Sequence, residues 1–533
     1  MDNALSMGKT SALGSLQLFL GKMLSTVILA VGTIILTILI SEGDYGIYVV
    51  ALVPAATALL FQDWGVGAAI TRYCAKYRAT NQEGELRRTI VAGLTFEVST
   101  ALVLTLISVS IASFVASSLF NKPESVLPMT LASITVFSTA ILAVSQSIFV
   151  GFERMAFTSY TLVCQAIVQC FVAPLLVSLG FGAIGATIGY SVASIVGASI
   201  AISIVYFKIF RKLDAEKSVQ SSISQTLRPM LGYGVPLAIA SLLAGIMTQF
   251  LSFMIASYAD NVMIGNYGIA VNFAVLLTFF TIPISTVLFP AFSKVDASGD
   301  PQLLKTVFSS SIKYTALLLV PAAMAIMVLS GQLIGTIYGD KWLYASFFLT
   351  LYAMNYVILI FGGLSNNSAL IGLGATRVLL KLNAITIFVG VPLGFLVIPV
   401  FGIPGAIVVN VVAGLPSIFV GLYWSWKKYG LKADYKAGAK IFLSSGIAAF
   451  VTFLFVAFFS FAAWVMFFAG VLIFLLVYLT AAPLIGAINQ TDINNLRAMF
   501  SSLGVVSKLL EIPLKFAEKP LALRSSLVET NES

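Results

Sequence analysis

The sequence predicts an all-α integral membrane protein with 14 transmembrane helices. These form two pseudo-symmetric six-helix lobes (parallel repeats) plus two C-terminal helices. Three observations predict this class. Of 533 residues, 59% are hydrophobic and 10% charged, with a mean hydropathy of +1.01; a soluble chain carries roughly 25% charged residues. Apolar runs long enough for a bilayer, about 20 residues, recur fourteen times between polar breaks. Short signatures also recur about 220 residues apart.

Taken in order, the first six spans cover roughly 13–40, 46–73, 89–117, 126–150, 157–179 and 183–207. The first is too long for a cleaved signal h-region and is expected to be retained. Spans 7 to 12 follow at 232–258, 263–292, 308–330, 345–372, 379–400 and 404–426, and spans 13 and 14 at 438–460 and 463–487. The expected organisation is an N-lobe (1–210), a cytoplasmic linker (211–231), a C-lobe (232–430), two extra helices (431–487) and a cytoplasmic tail (488–533). In the tail, Leu496, Met499, Phe500, Leu503, Val506 and Leu510 fall at helical spacing, which suits an amphipathic helix on the inner leaflet; a disordered tail is the alternative.

Basic residues orient the spans. With the N-terminus in the cytoplasm, 27 of the 30 Lys and Arg residues fall in cytoplasmic segments. Lys122 and Lys341 fall outside, and Lys22 lies within a span. This predicts a multi-pass plasma-membrane protein with both termini cytoplasmic. It also accounts for the net charge of +9 by attraction to anionic membrane lipids, with no nucleic-acid partner.

The repeat is carried by four matches. Asp44-Tyr45-Gly46-Ile47 recurs as Asn266-Tyr267-Gly268-Ile269, and the spans they open end at Arg72 and Lys294. Gly151 matches Gly372, and Gly182-Ala183-Ile184-Gly185-Ala186 matches Gly402-Ile403-Pro404-Gly405-Ala406. Six spans per copy is an even number, so the copies share one topology. Two such bundles are expected to leave a cleft between them, where repeat-built transporters place substrate near mid-membrane.

Chemistry is excluded more readily than assigned. The chain has no histidine, and Cys74, Cys164 and Cys170 lack metal-ligand spacing, so neither a metal nor another cofactor is expected. Gly8-Lys9-Thr10 is preceded by Asn3 where a phosphate-binding loop needs glycine. Ionisable residues within spans are few. Lys22, Asp63 and Glu97 lie roughly 12–15 Å from the cytoplasmic boundary, by helical rise, on three consecutive spans. Charges at that depth are expensive in lipid and are expected to face the interior and interact. Lys22 suits an anionic headgroup, and Asp63 or Glu97 a proton or cation; a purely structural buried ion pair is the alternative. In the second lobe, Gln249, Asn272, Asn355, Asn366 and Asn367 could contact sugar hydroxyls or join helices. Arg72 and Lys294 are candidate substrate contacts or simple positive-inside anchors.

The segment Ser41-Glu42-Gly43-Asp44-Tyr45-Gly46-Ile47-Tyr48, followed by Asp63-Trp64-Gly65-Val66 and Thr71-Arg72-Tyr73, resembles the polysaccharide-transporter branch of the multidrug/oligosaccharidyl-lipid/polysaccharide exporter superfamily. The resemblance covers nearly the whole chain. It implies a non-enzymatic flippase that moves a polyprenyl-(di)phosphate-linked glycan from the cytoplasmic to the outer leaflet by alternating access, alongside glycan polymerase or ligase machinery. Lipid II flippases of the superfamily have an arginine-rich cavity, whereas the first three spans here offer one lysine and two acids. A cation-coupled multidrug exporter is the rival reading. A membrane glycosyltransferase or ligase is disfavoured because every external loop is short.

Overall fold

In lipid a backbone has no solvent to bond, so each apolar run must satisfy its own N–H and C=O groups as a helix. The structure, a computed structural model, describes residues 2–62, 64–213, 222–501 and 511–522. The first unit holds α1 (Asp2–Leu39), α2 (Glu42–Leu60), α3 (Val66–Ala79), α4 (Glu83–Phe114), α5 (Val126–Gly151), α6 (Met155–Leu176), α7 (Gly182–Ile204), α8 (Ile223–Tyr258) and the start of α9 (Asn261–Ser298). The second holds the rest of α9, then α10 (Pro301–Tyr338), α11 (Ala345–Val357), α12 (Gly363–Gly372), most of α13 (Thr376–Tyr429), α14 (Tyr435–Phe458), α15 (Ala463–Ile485) and α16 (Gln490–Ser501).

Among the described residues, 11 helices are long and apolar enough to cross a membrane, or up to 12 if the pair Ala345–Phe361 and Gly363–Gly372, bent by 56°, is one span. Two of these runs exceed any single crossing. Met155–Lys212 has 58 residues and Thr376–Tyr429 has 54, about 80 Å or more at helical rise. Both break at glycine. Gly182 has φ 48° and ψ −131°, and Gly402 has φ 57° and ψ −133°. Only glycine enters that region without strain. These are the two glycines that the repeat aligns, so the sequence match marks one shared backbone device.

In the first unit, α1 packs on α6, α6 on α7, and α5 against α2, α3, α4 and α7; α8 lies against α2, α3 and α4. The core around α3 and α5 includes Val66, Ile70, Ile90, Ile148, Phe149 and Met230. By contacts, α8 therefore belongs with the first six spans, and the unit boundary falls after Gly268, outside the 211–231 linker. In the second unit, α10 packs on α11, α14 and α15. The tail helix α16 docks here through buried Ile493, and Asp492 pairs with Lys313 at 2.5 Å. Arg497 bridges Glu511 and Glu518 at 3.0 and 2.9 Å. The described part of the tail thus packs on protein through Ile493 and Leu496, both buried. Leu503, Val506 and Leu510 lie outside the described residues.

Candidate functional site

The helix that enters at Glu42 stops at Leu60 and resumes at Val66. Gly65 adopts φ 74° and lies so close to the Gly234 backbone of α8 that a Cβ would sit 2.1 Å from its carbonyl oxygen. The Trp64-Gly65 sequence thus both breaks the helix and allows α8 to approach. Beside the break, Gln62 donates through Nε2 to Glu97 Oε2. Both are buried, at 6% and 2% exposed. A buried carboxylate at an interrupted span is where membrane transporters hold ions. Asp63 lies outside the described residues.

Lys22 does not join Glu97. Its side chain is exposed on α1, and among the described residues it has no carboxylate partner. Its angular position is informative. At 100° per residue, Lys22, Thr26 and Thr33 share one side of α1. The exposed apolar residues Leu20, Leu24, Val27, Val31, Ile35 and Ile38 project from the opposite side. The ammonium therefore shares its side of α1 with Thr26 and Thr33, and also with Leu29 and the exposed Phe19.

Gln249 lines a slot of about 580 Å³ between α2 and α8, with Thr57, Phe61, Phe250, Phe253 and Phe395. The Thr57 hydroxyl lies 3.5 Å from Gln249 Oε1, and Phe250 meets Phe395 edge-on at 5.4 Å. An apolar channel with a mid-length amide suits a ligand that is mostly lipid with some polar groups.

Two of the other amides, Asn355 and Asn366, join helices. Asn410 donates to Asn355 Oδ1 at 2.9 Å, tying α13 to α11. Ser425 donates to Asn366 Oδ1 at 2.7 Å, tying α13 to α12. Asn272 and Asn367 are exposed. Arg72, also exposed, stacks over Tyr233 at 4.4 Å, and Lys294 is exposed. Sequence reasoning missed Gln62, Asn410 and Ser425, although each is a polar residue inside or beside an apolar run. Among the described residues, no three of His, Cys, Asp and Glu converge to hold a metal ion.

The Lys122 end of the first unit is latched. Lys122, 7% exposed, donates to the Ala256 and Ala259 carbonyls at 2.8 and 2.7 Å, where the last turn of α8 presents unsatisfied acceptors. Asn261 donates to Glu124 at 2.7 Å and Asn266 to Glu42 at 2.6 Å. The Gly46 backbone touches Asn261 so closely that a Cβ would fall 1.8 Å from its carbonyl oxygen. Burial pulls the Lys122 ammonium below its ordinary pKa, opposed by Glu124 and Asp260.

Comparison with known proteins places this geometry. Residues 12–296 match the family model described as polysaccharide biosynthesis protein. An uncharacterized membrane protein of Methanocaldococcus jannaschii is 23% identical over 394 residues, covering 70% of this chain and 75% of that one. The probable low-salt glycan biosynthesis flippase Agl15 of Haloferax volcanii is 24% identical over 233 residues, 44% of this chain and 49% of Agl15. Among solved structures, the lipid II flippase MurJ in an inward closed conformation aligns with TM-score 0.69 at 18% identity, covering 88% of this chain and 98% of MurJ. An inward-facing multidrug resistance transporter of the MATE family aligns with TM-score 0.62 at 16% identity, covering 75% and 94%. The relatives named for an activity are transporters and flippases, not enzymes. The chain is a multi-pass membrane protein of the polysaccharide biosynthesis family, with the fold of the MurJ and MATE transporters.

Proposed function

We propose that this protein flips a polyprenyl-(di)phosphate-linked oligosaccharide or polysaccharide unit from the cytoplasmic to the outer leaflet by alternating access. Counting each glycine-broken run and the bent pair as two spans and one span respectively gives fourteen crossings, with both termini cytoplasmic. The observation that carries the reading is Lys22, an exposed ammonium within an apolar span, with no carboxylate partner among the described residues. Such a group suits the phosphate of a lipid whose tail stays in the membrane. Gln249 and Thr57 offer hydrogen bonds within an aromatic slot, and Glu97 at the broken span, or Asp63, supplies the proton- or cation-coupling group. Asn272 and Asn367 remain proposed sugar contacts, and Arg72 and Lys294 anchors to anionic lipids at matched span ends. The likeness of Agl15 and MurJ to this chain supports the substrate class. A glycan polymerase or ligase is the proposed downstream partner.

Deleting the gene and weighing the accumulated lipid-linked sugars by mass spectrometry tests this reading. Build-up of one complete glycan-lipid, reversed by the wild-type gene, is the expected result; an unchanged lipid profile contradicts it. The MATE-like fold favours a second reading, a cation-coupled multidrug exporter. Resistance to cationic dyes without a glycan defect would select that reading.

A further inference from the structure

The two copies of the repeated Tyr-Gly-Ile motif lie near the starts of α2 and α9 and face each other within the first unit. A Cβ at Gly46 would fall 1.8 Å from the Asn261 carbonyl oxygen of α9. A Cβ at Gly268 would lie 3.1 Å from the Tyr45 ring and 3.2 Å from Val49 of α2. Each copy thus turns its glycine toward the other copy's helix, and the small faces let the two helix starts approach closely. The copies differ in charge at one place. Asp44 precedes the first Tyr-Gly-Ile and Asn266 the second. Asp44 accepts from the Ser41 hydroxyl at 2.7 Å, within its own helix start. Asn266 is fully buried and donates to Glu42 across the contact at 2.6 Å. A carboxylate at 266, as at 44, would stand beside Glu42 and push the helix starts apart; the neutral amide lets them close.

The aromatic slot runs along α8 from Ile246 to Tyr258, the last residue of that helix. That last turn is clasped from the segment after α4. Lys122 holds the Ala256 and Ala259 carbonyls, and Phe120 meets Phe253 edge-on at 4.7 Å. Next to it, Asn261 holds Glu124. Most of these fastenings are polar and sit at helix ends, so water can replace each partner when the contact parts. We infer that this contact is the outer gate of the transport path. Gly46 and Gly268 seat it; the Asn266–Glu42 and Asn261–Glu124 pairs and the Lys122 ammonium hold it shut; it parts to release glycan-lipid to the outer leaflet. The inference rests on the transport reading, whose topology turns the starts of α2 and α9 outward.

The test places spin labels on the full chain in nanodiscs, at Gly43→Cys and Val262→Cys, in a background of Cys74→Ala, Cys164→Ser and Cys170→Ser. A Cβ at Gly43 meets no atom within 4 Å and Val262 is exposed, so both positions accept a label. With the gate residues intact, a short distance between labels is expected to dominate. Asn266→Asp, in mildly alkaline buffer that keeps both carboxylates ionised, should add a longer population. Adding Glu42→Gln restores a donor to the pair and should remove that population. Lys122→Met should also add the longer population, which covers the case in which Asn266→Asp fails to fold. Joining the two cysteines with a reducible cross-linker should stop glycan-lipid flipping in vesicles, and reduction should restore it. Distances unchanged in both Asn266→Asp and Lys122→Met, or full flipping by the cross-linked protein, would overturn the inference. The distances need no substrate. A chain whose gate opens on these substitutions yet moves no glycan-lipid contradicts the flippase reading and leaves the gate standing.

Discussion

At the scale of single residues, charge number and backbone freedom decide what can be exchanged. Lys22→Gln should abolish glycan-lipid transport at unchanged protein level, while Lys22→Arg retains part of it; flipping rate and a membrane immunoblot check both. Glu97→Gln preserves a partner for Gln62 and should leave folding intact. It should also remove the dependence of transport on a proton or cation gradient, read by varying that gradient across vesicles. Gly65→Ala places a Cβ at positive φ against the Gly234 backbone. Strain and overpacking together should cost about 2–4 kcal/mol, visible as a lower midpoint of thermal unfolding. Lys22 was legible in the sequence because an ion inside an apolar run stands out. Its expected partnership with Glu97 was not legible. Depth along a span follows from counting residues, but rotation about the helix axis depends on which neighbour claims the small face, here Gly21 and Gly32 against α6.

At the scale of elements, the pairing of helix ends governs stability. Lys122 seals the last carbonyls of α8, and its removal should expose them. Lys122→Ala should cost about 1.5–3 kcal/mol, the range for hydrogen bonds to a charged group, measured by thermal unfolding in detergent. The pH dependence has a defined sign. Burial lowers the folded-state pKa of Lys122 from its ordinary 10.5, so the unfolded chain holds the extra proton in the pH range just below that value. Stability from this group therefore rises with pH through that range, and Lys122→Met should flatten the rise. The sequence placed Lys122 only as a stray basic residue outside the cytoplasmic set, because its partners lie 134 and 137 residues away. Breaks at Gly182 and Gly402 were readable from the repeat, since only glycine serves there. The docking of α16 was not, because a helix with one apolar face reads the same whether lipid or protein covers it.

At the scale of the whole molecule, composition and positive charge settle the class, and repeat spacing accounts for the paired breaks. Among the described residues the structure has 11 helices long and apolar enough to cross a membrane, or up to 12, and two runs of 58 and 54 residues break at the glycines that the repeat aligns. The positions of Asn355 and Asn366 were foreseen but not their use, since an amide in a span suits a sugar and a neighbouring helix equally until the partner is seen. The account as a whole holds that this fold carries a phosphate-linked glycan lipid across the bilayer with Lys22 receiving the phosphate. The most direct measurement reconstitutes the purified chain in vesicles and follows transbilayer movement of a labelled polyprenyl-diphosphate oligosaccharide. The predicted result is movement well above protein-free vesicles for wild type and background movement for Lys22→Gln. Background movement with wild type, or equal rates for the two proteins, would contradict it.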